Sequence, residues 1–380
     1  MLRTTMVQNL SRRQLLAGLA SACASAPWAR AQNSTPSVSR PRAVVRSAPL
    51  RVAFVYVTPV GATGWTAQHD RGRLHMQRVL GRAVHSRFVA NVPEGPDAER
   101  VVSELAHQGE ELIFTTSFGY MEPVMRAARN FPRTVFEQCS GYKLAANVGA
   151  YNGRFYQGRY LSGMVAGHMS RTGVAGMVAS FPIPEVIQGI NAFTLGMQAV
   201  NPQARMKVVW VNTWYDPGRE ADAARALVGQ GADVLTHHTN SPAAVQIAEE
   251  KGCWAVGYCS DEAAFAPRAQ LTAVTLHWGD FYVRTAQDVL AGRWRSQSVW
   301  DGIAQGFVKL APFGVAVPER VRSQVRRSEQ DIVRGRLHPF SGRILDNRGG
   351  LFFDGVHMSD GQIQRMDRYV MGVEGSVPRL

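Results

Sequence analysis

The sequence predicts an α/β fold of two doubly wound lobes that enclose a ligand cleft. Apolar runs of strand length alternate with segments of helical period from about residue 50 onward. About 330 residues follow a non-periodic tether, which is too many for one compact core and suits two lobes. Three crossings, near residues 152–158, 272–278 and 306–314, would join the lobes by hinges. Such a geometry closes on a ligand and reopens.

The stretch from Arg51 to Leu80 opens the first lobe. It contains an apolar strand, a Pro-Gly turn and a helix from about Thr66. Ligands of open α/β sheets sit beyond the carboxyl ends of the strands, and Trp65 lies there. Its flat ring predicts a binding platform, while the alternative, a ring that shields the strand ends from solvent, stays open. Asp70, one turn into the helix, is a polar candidate.

Two later strands of the first lobe also end in candidate contacts. The strand at 111–115 runs into Phe118 and Gly119, and a glycine there lets the backbone approach a ligand closely. The strand in RTVFEQ reaches Glu137 at its end. Glu137 is either a ligand contact or a solvated loop carboxylate.

In the second lobe, the strand KVVWVNTW ends at Trp214, which we equate with Trp65 of the first lobe. Two such rings on facing lobes could clamp a flat heterocycle, at roughly 1–3 kcal/mol per stacked face. Asn212, the run THHTNSP at 236–242 and Asp261 supply polar candidates. The small-residue helix at 158–170 is expected to pack at an interface between the lobes.

Several motifs carry a resemblance to a known family. They are GWTAQHDRGR, NVPEGPDAER, LIFTTSFGY, GRFYQGRYLSG, FPIPEVIQGINAFTLG and VVWVNTWYDP. Together they resemble the BMP, or basic membrane lipoprotein, family of solute-binding proteins for ABC importers, and its purine-binding branch in particular. The resemblance covers nearly all of the chain from about residue 50. It implies a type I periplasmic-binding-protein fold, an inner-membrane ABC permease as partner, and a purine held between the aromatics at Trp65 and Trp214.

Two departures from the family pattern bear on the ligand. In the purine-binding branch, acids tend to occupy the positions of Asn240 and Cys259, so these two residues depart from the family pattern. Asp261 matches that pattern. The stretch at 271–282 lacks the lysine that holds ribose hydroxyls in nucleoside-binding relatives, and Trp278 would fill the space of a ribose. A free base, adenine first, is therefore favoured over a nucleoside. Hinge packing remains the alternative role of Trp278.

The first 49 residues are predicted to lie outside the fold. Residues 1–31 carry Arg12 and Arg13 in a twin-arginine pattern and a small-residue cleavage site, so export to the periplasm is expected. Lipidation of Cys23 stays open as an alternative. Residues 32–49 read as a flexible tether. Lobe 1 is assigned to 50–155 plus 276–310, and lobe 2 to 156–275 plus 311–375. A final helix is expected from about Ser359 to Val370.

Composition and missing motifs argue against other classes of protein. The net charge of +13 becomes +9 without residues 1–31, and its scattered arginines form no nucleic-acid-binding stripe. No hydrolase elbow, phosphate loop or zinc motif is present, and His237 and His238 would point apart on a strand, so no enzyme activity, metal or cofactor is expected. The chain is expected to act as a monomer. A sensing receptor or regulator without a transport role remains the alternative from another class.

Overall fold

The computed structural model describes residues 48–379, which contain two six-stranded sheets. Elements are numbered in chain order. The first sheet has the strand order β11-β5-β4-β3-β1-β2 and is parallel throughout. Its strands are β1 Leu50–Val55, β2 Val84–Val89, β3 Leu112–Thr115, β4 Val135–Cys139, β5 Val148–Gly153 and β11 Ser298–Asp301. Its helices are α1 Gly64–Leu80, α2 Pro96–His107, α3 Met121–Asn130 and α8 Gly279–Leu290, with 3₁₀ turns at Gly81–Ala83 and Phe118–Tyr120.

The second sheet repeats this order as β12-β10-β9-β8-β6-β7. Its strands are β6 Val174–Ala179, β7 Arg205–Trp210, β8 Val234–His238, β9 Trp254–Cys259, β10 Gln270–Leu276 and β12 Val308–Leu310. Its helices are α4 Phe155–Met169, α5 Pro184–Gln198, α6 Pro217–Gly229, α7 Ala243–Lys251 and α9 Glu319–Val333. A short hairpin, β13 Ile344–Leu345 with β14 Leu351–Phe353, and helix α10 Asp360–Ile363 follow.

Each sheet is covered on both faces, which explains the apolar strands. Strand β1 buries every residue except Arg51 and pairs with β2 and β3. The core of lobe 1 lies in two layers, one under α1 and α8 and one under α2 and α3. Lobe 2 likewise has one layer around α4, α5 and α9 and one around α6 and α7. Burial on both faces is the expected environment of continuous Val, Ile and Phe runs in parallel sheets.

Three sequence predictions about these elements were wrong. Residues 308–310, assigned to lobe 1, pair antiparallel with β10 in the second sheet. The last helix, expected over 359–370, comprises Asp360–Ile363 because the following backbone turns away to form a bridge between Asp346 and Val370. The small-residue helix at 158–170 was expected at an interface between the lobes, but as α4 it packs on α5 within lobe 2. A Cβ on Gly163 would lie 2.1 Å from Phe193 O there, so the small residues allow close helix packing.

Within residues 48–379, no helix combines the length and the apolar character needed to span a membrane. The predicted signal segment, the tether and Cys23 lie outside the described residues.

Candidate ligand-binding site

A small cavity lies between the two sheets, at the carboxyl ends of their strands. Both lobes contribute to it, through the loops that follow strands β1, β3, β4, β6, β7 and β8 and through the end of β9. Its lining consists of Val57, Thr58, Trp65, Thr116, Ser117, Phe118, Ser140, Ile183, Glu185, Trp214, His238, Thr239, Asn240, Tyr258 and Cys259. This is the place where open α/β sheets bind small ligands.

Trp65 forms an aromatic wall of the cavity from lobe 1. It is the second residue of α1, and its indole Nε1 donates to the Thr116 carbonyl at 2.7 Å, which fixes the ring plane. His69 contacts the ring edge-on at 4.6 Å between centroids, and Trp278 does so at 5.6 Å. His69 and Trp278 stack on each other at 4.6 Å and 8°. Trp65 is therefore a preoriented ring backed by rigid aromatic packing.

Trp214 forms an aromatic wall from lobe 2. Its ring meets Phe181 at 4.9 Å and 61°, and its backbone carbonyl accepts from Asn240 N at 2.9 Å. The indole Nε1 of Trp214 is buried and has no hydrogen-bond partner. Burying an unpaired N–H costs about 1–3 kcal/mol, so this donor is available to a ligand atom.

One end of the cavity is polar. Glu185, in the first turn of α5, accepts hydrogen bonds at Oε2 from Ser140 Oγ at 2.7 Å and Asn152 Nδ2 at 2.8 Å. Both donors belong to lobe 1, and we call this set of contacts the Glu185 bridge. His238 Nε2 lies 3.5 Å from Glu185 Oε1. Burial lowers the pKa of His238 to about 4, so this imidazole is neutral at pH 7.

The floor of the cavity contains a buried cation. Arg159 is fully buried below Tyr258, with its guanidinium carbon 3.7 Å from the ring centroid. It donates to Thr236 Oγ1 at 2.9 Å and to the His237 carbonyl at 2.6 Å. Burial lowers the pKa of Arg159 from its ordinary value. These contacts hold Tyr258 flat beneath the cavity.

The lobes also bond directly to each other beside the cavity, through buried side chains. Asn240 donates through Nδ2 to Thr58 Oγ1 at 2.6 Å and accepts at Oδ1 from Thr66 N at 3.1 Å. Ser260 Oγ accepts from Gly64 N at 2.9 Å. We call these contacts the Asn240 latch. Together with the Glu185 bridge, they hold the lobes in a closed arrangement.

Within residues 48–379, four non-glycine residues adopt a left-handed backbone, and all four lie at or just after strand ends. Asn91 and Asn212 follow β2 and β7 with φ of 58° and 52°. Ser140 follows β4 and Cys259 ends β9, with φ of 64° and 65°. Such conformations cost about 1–3 kcal/mol and concentrate at binding sites. Their positions match between the two sheets, since β2 corresponds to β7 and β4 to β9 in the strand order.

Of the nine predicted site residues, the structure brings Trp65, Phe118 and Trp214 together in the cavity lining. That they contact a ligand stays a prediction. Trp214 is not the topological equivalent of Trp65, because it follows the second strand of its sheet and Trp65 follows the first. The residue that follows the first strand of lobe 2 at the matching place is Glu185.

Three predicted polar residues lie away from the lining because they have partners in their own lobe. Glu137 points into the core of lobe 1, where it accepts from Trp294 Nε1 at 2.8 Å. Asp70 accepts from Arg73 Nε at 2.7 Å. Asp261 is exposed and accepts from Gln270 Nε2 at 2.7 Å.

Three further predicted residues also lie outside the lining. Gly119 donates its N–H to Glu94 Oε1 at 2.9 Å within lobe 1. Asn212 lines a shallower cleft on the far side of Trp214. Trp278 is buried and packs edge-on against Trp65 at 5.6 Å between centroids, outside the cavity lining.

Sequence reasoning missed Glu185, although a signal was present. Glu185 stands in the first turn of a helix directly after the first strand of lobe 2, as Trp65 does in lobe 1. His238 lies in the polar run proposed at 236–242. Within the described part of the chain, no group of three or more metal-ligating side chains comes together, and His237 bonds Glu262 at 2.8 Å on the other side of the strand. Cys139, Cys253 and Cys259 are free thiols.

The two lobes and the cavity between their strand ends have the arrangement of the type I periplasmic-binding-protein fold. Solved structures share this fold. A comK transcriptional activator from Bacillus halodurans has a TM-score of 0.66 at 24% identity, over 76% of this chain and 99% of that chain. A solute-binding protein of an ABC transporter from Aeropyrum pernix has a TM-score of 0.67 at 19% identity, over 76% and 93%. At these identities the structural similarity shows the fold alone, and it confirms the predicted fold class.

The family model of PnrA-like ABC transporter substrate-binding proteins, Bmp, matches residues 50–337, and the chain belongs to that family. This confirms the resemblance found in the sequence motifs. The chain is 48% identical over 331 residues to a purine-binding protein of Brucella abortus, covering 87% of this chain and 94% of that protein. It is 35% identical over 329 residues to a Haloferax volcanii protein named provisionally as an ABC-transporter glucose-binding protein, covering 87% and 81%.

Membership of the family establishes the general role. The chain is a substrate-binding protein of an ABC transporter, a class that binds small molecules and partners with a membrane permease. The family is one of solute-binding proteins, in keeping with the expected lack of enzyme activity.

Proposed function

We propose that this protein binds a purine base in the cavity, stacked between Trp65 and Trp214, and delivers it to the permease of an ABC importer. The observation that carries the proposal is the pair of tryptophans that line one small cavity from opposite lobes. They do so without ring contact with each other, and the Trp65 plane is fixed by the bond to Thr116. Stacking on two faces suits a flat heterocycle.

The comparison with the Brucella abortus protein supports a purine as ligand. That relative is a purine-binding protein, and the similarity covers both lobes and therefore all of the cavity-lining loops. Adenine is the first base to test. A purine also has polar ring atoms on its edge, and the cavity offers the Glu185 carboxylate to meet them.

A free base is favoured over a nucleoside for a reason that differs from the sequence argument. The cavity is small, and the Asn240 latch crosses between the lobes beside it, which leaves little room beside a stacked base. A larger cleft adjoins it at Phe118, Ser140 and Glu185. A ribose would have to pass the Glu185 bridge to reach that cleft, so nucleoside binding requires a more open arrangement.

A sugar ligand is the second candidate, because the Haloferax volcanii relative is named for glucose binding. Sugars also stack on tryptophan, but each hydroxyl needs a hydrogen-bond partner when buried. Most hydroxyl groups in this cavity already donate to protein atoms, as described below. The cavity therefore suits a heterocycle with few polar atoms better than a hexose.

Calorimetric titration of the protein, unfolded and refolded to remove carried-over ligand, tests the proposal. The panel is adenine, guanine, hypoxanthine, adenosine, guanosine and glucose. We expect a free base to bind at least tenfold more tightly than its nucleoside and glucose to give no heat of binding. Tighter binding of nucleosides would overturn the preference for a base, and binding of glucose alone would replace the purine proposal by the sugar one.

We further propose a periplasmic location with export by the twin-arginine route. The support is the class of protein together with the sequence pattern at residues 1–31. Replacement of both Arg12 and Arg13 by lysine should retain the protein in the cytoplasm. Normal export of that variant in cell fractionation would contradict the proposed route.

A further inference from the structure

Glu185 presents one carboxylate oxygen whose acceptor capacity is not used. Its Oε2 receives two hydrogen bonds from lobe 1, from Ser140 and Asn152. His238 Nε2 lies 3.5 Å from its Oε1, which is a long and weak contact for a hydrogen bond. The Glu185 side chain is only 11% exposed and lines the cavity. A carboxylate oxygen in such a place favours a donor from the ligand.

The hydroxyl groups of the lining also favour a ligand that donates hydrogen bonds, because their own hydrogens already have acceptors. Thr116 Oγ1 donates to the Val55 carbonyl at 3.0 Å, and Thr239 Oγ1 donates to Glu220 Oε2 at 2.8 Å. Ser117 Oγ donates to the Glu94 carboxylate at 2.5 Å. Ser140 donates to Glu185 itself. The lining near Glu185 therefore offers mainly acceptors.

We propose that Glu185 determines specificity within the purine class by accepting an N–H of the base at Oε1. This inference rests on the proposed function. The protein should then select bases with an amino group or ring N–H on the edge that faces Glu185, and reject analogues in which that hydrogen is replaced by methyl. A ligand that lacks the donor leaves a buried carboxylate oxygen unpaired, and such mismatches discriminate strongly.

The Glu185→Gln variant tests this with little change in shape. Ser140 and Asn152 both donate towards residue 185, so the amide oxygen of Gln should face them and its NH₂ should face the cavity. The variant thus replaces an acceptor by a donor at the place where Oε1 stands. Steric penalties from a methyl group remain the same in both proteins, so a change in the ratio of affinities isolates the hydrogen bond.

The experiment is calorimetric titration of wild-type protein and Glu185→Gln with adenine, N6,N6-dimethyladenine and 9-methyladenine. The two methylated probes remove the amino hydrogens and the ring N–H in turn. For at least one probe, we expect the affinity penalty relative to adenine to be about tenfold larger in wild type than in the variant. Equal penalties in both proteins for both probes would overturn the role of Glu185.

Controls separate this outcome from other failures. Ser140→Ala removes a partner of Oε2 but keeps the carboxylate, so overall affinity falls while the wild-type penalties persist. Asp261→Asn, outside the cavity, should change neither quantity. If Glu185→Gln does not fold, Glu185→Ala removes the acceptor and should lose the same discrimination. Wild-type protein that binds none of these probes and no other base or nucleoside of the wider panel would overturn the proposed function, whereas binding of adenine with equal penalties in both proteins overturns this inference alone.

Discussion

The two lobes repeat one strand order but present different chemistry to the ligand. After the first strand of each sheet, lobe 1 places Trp65 and lobe 2 places Glu185 in the first turn of the following helix. After the second strand, both lobes carry an asparagine in the left-handed conformation, Asn91 and Asn212. The repeated frame therefore fixes where residues face the cleft, and the side chains at matched places decide what they do.

This comparison divides the cavity into an aromatic end and a polar end. Trp65 and Trp214 supply stacking surfaces, and Glu185 with His238 supplies directional hydrogen bonding. Stacking sets the plane of a base without choosing among bases, whereas a missed hydrogen bond in a buried site discriminates between them. Affinity should therefore depend mainly on the tryptophans and selectivity mainly on Glu185.

The largest expected effect comes from removing a stacking ring. Trp65→Ala should weaken adenine binding roughly 100-fold and Trp214→Ala at least about tenfold, because each loses stacking on one face of the base. Isothermal titration measures both, with Trp254→Ala as the matched control. Trp254 begins β9, at the end of the strand away from the cavity. If the control weakens binding as much as the cavity variants, the loss reflects general destabilisation and the aromatic end is wrongly assigned.

The next effect concerns closure of the lobes. Asn240→Ala removes two hydrogen bonds between the lobes, each worth about 0.5–1.5 kcal/mol net, so adenine should bind about tenfold more weakly. The selectivity measured with methylated bases should not change. Asn212→Gly is the control, since Asn212 lies outside the cavity and glycine accepts its positive φ. A change in selectivity with Asn240→Ala would show that Asn240 contacts the ligand.

The last prediction concerns the buried glutamates inside the two lobes. It expects an effect on stability and none on ligand binding. Lobe 2 pairs its buried Glu262 with His237 at 2.8 Å, whereas Glu137 in lobe 1 accepts from the uncharged Trp294. Burial raises the pKa of Glu137 to about 8. The folded protein therefore keeps a proton that the unfolded chain loses above about pH 4.5. The free energy of unfolding should fall between about pH 4.5 and 8, by an amount on the order of 4 kcal/mol.

Glu137→Gln tests this difference because it removes the titrating group and keeps an acceptor for Trp294. Thermal unfolding at pH 5 and pH 9 should show a larger drop in melting temperature for wild type than for the variant, with adenine affinity unchanged. Parallel drops in both proteins would mean that Glu137 is already ionised at neutral pH in the folded state.

The sequence predicted the walls of the site better than its polar contacts. Strand ends are set by local patterns, so Trp65, Trp214 and Phe118 could be placed at the cleft from alternation of apolar runs alone. Polar side chains have many possible partners, and the choice depends on distant parts of the chain. Asp70 bonds Arg73, and the exposed Asp261 bonds Gln270, although both were predicted to face the ligand.

The strand order corrects one analogy between the lobes that was drawn from the sequence. Trp214 was equated with Trp65 because both are strand-end tryptophans, but the strand order makes Glu185 the equivalent of Trp65. The resemblance in the sequence motifs implies an acid at the position of Asn240, whereas the Asn240 amide bonds across the lobes to Thr58 and Thr66. An amide can donate to Thr58 and accept from Thr66 at once, which a carboxylate cannot.

A crystal structure of the protein with adenine tests the central claim most directly. The account predicts the ring stacked between the indoles of Trp65 and Trp214, with an N–H of the base within about 3.2 Å of Glu185 Oε1. A base bound in the adjoining cleft beyond Ser140, or one in contact with only one of the two tryptophans, would contradict it.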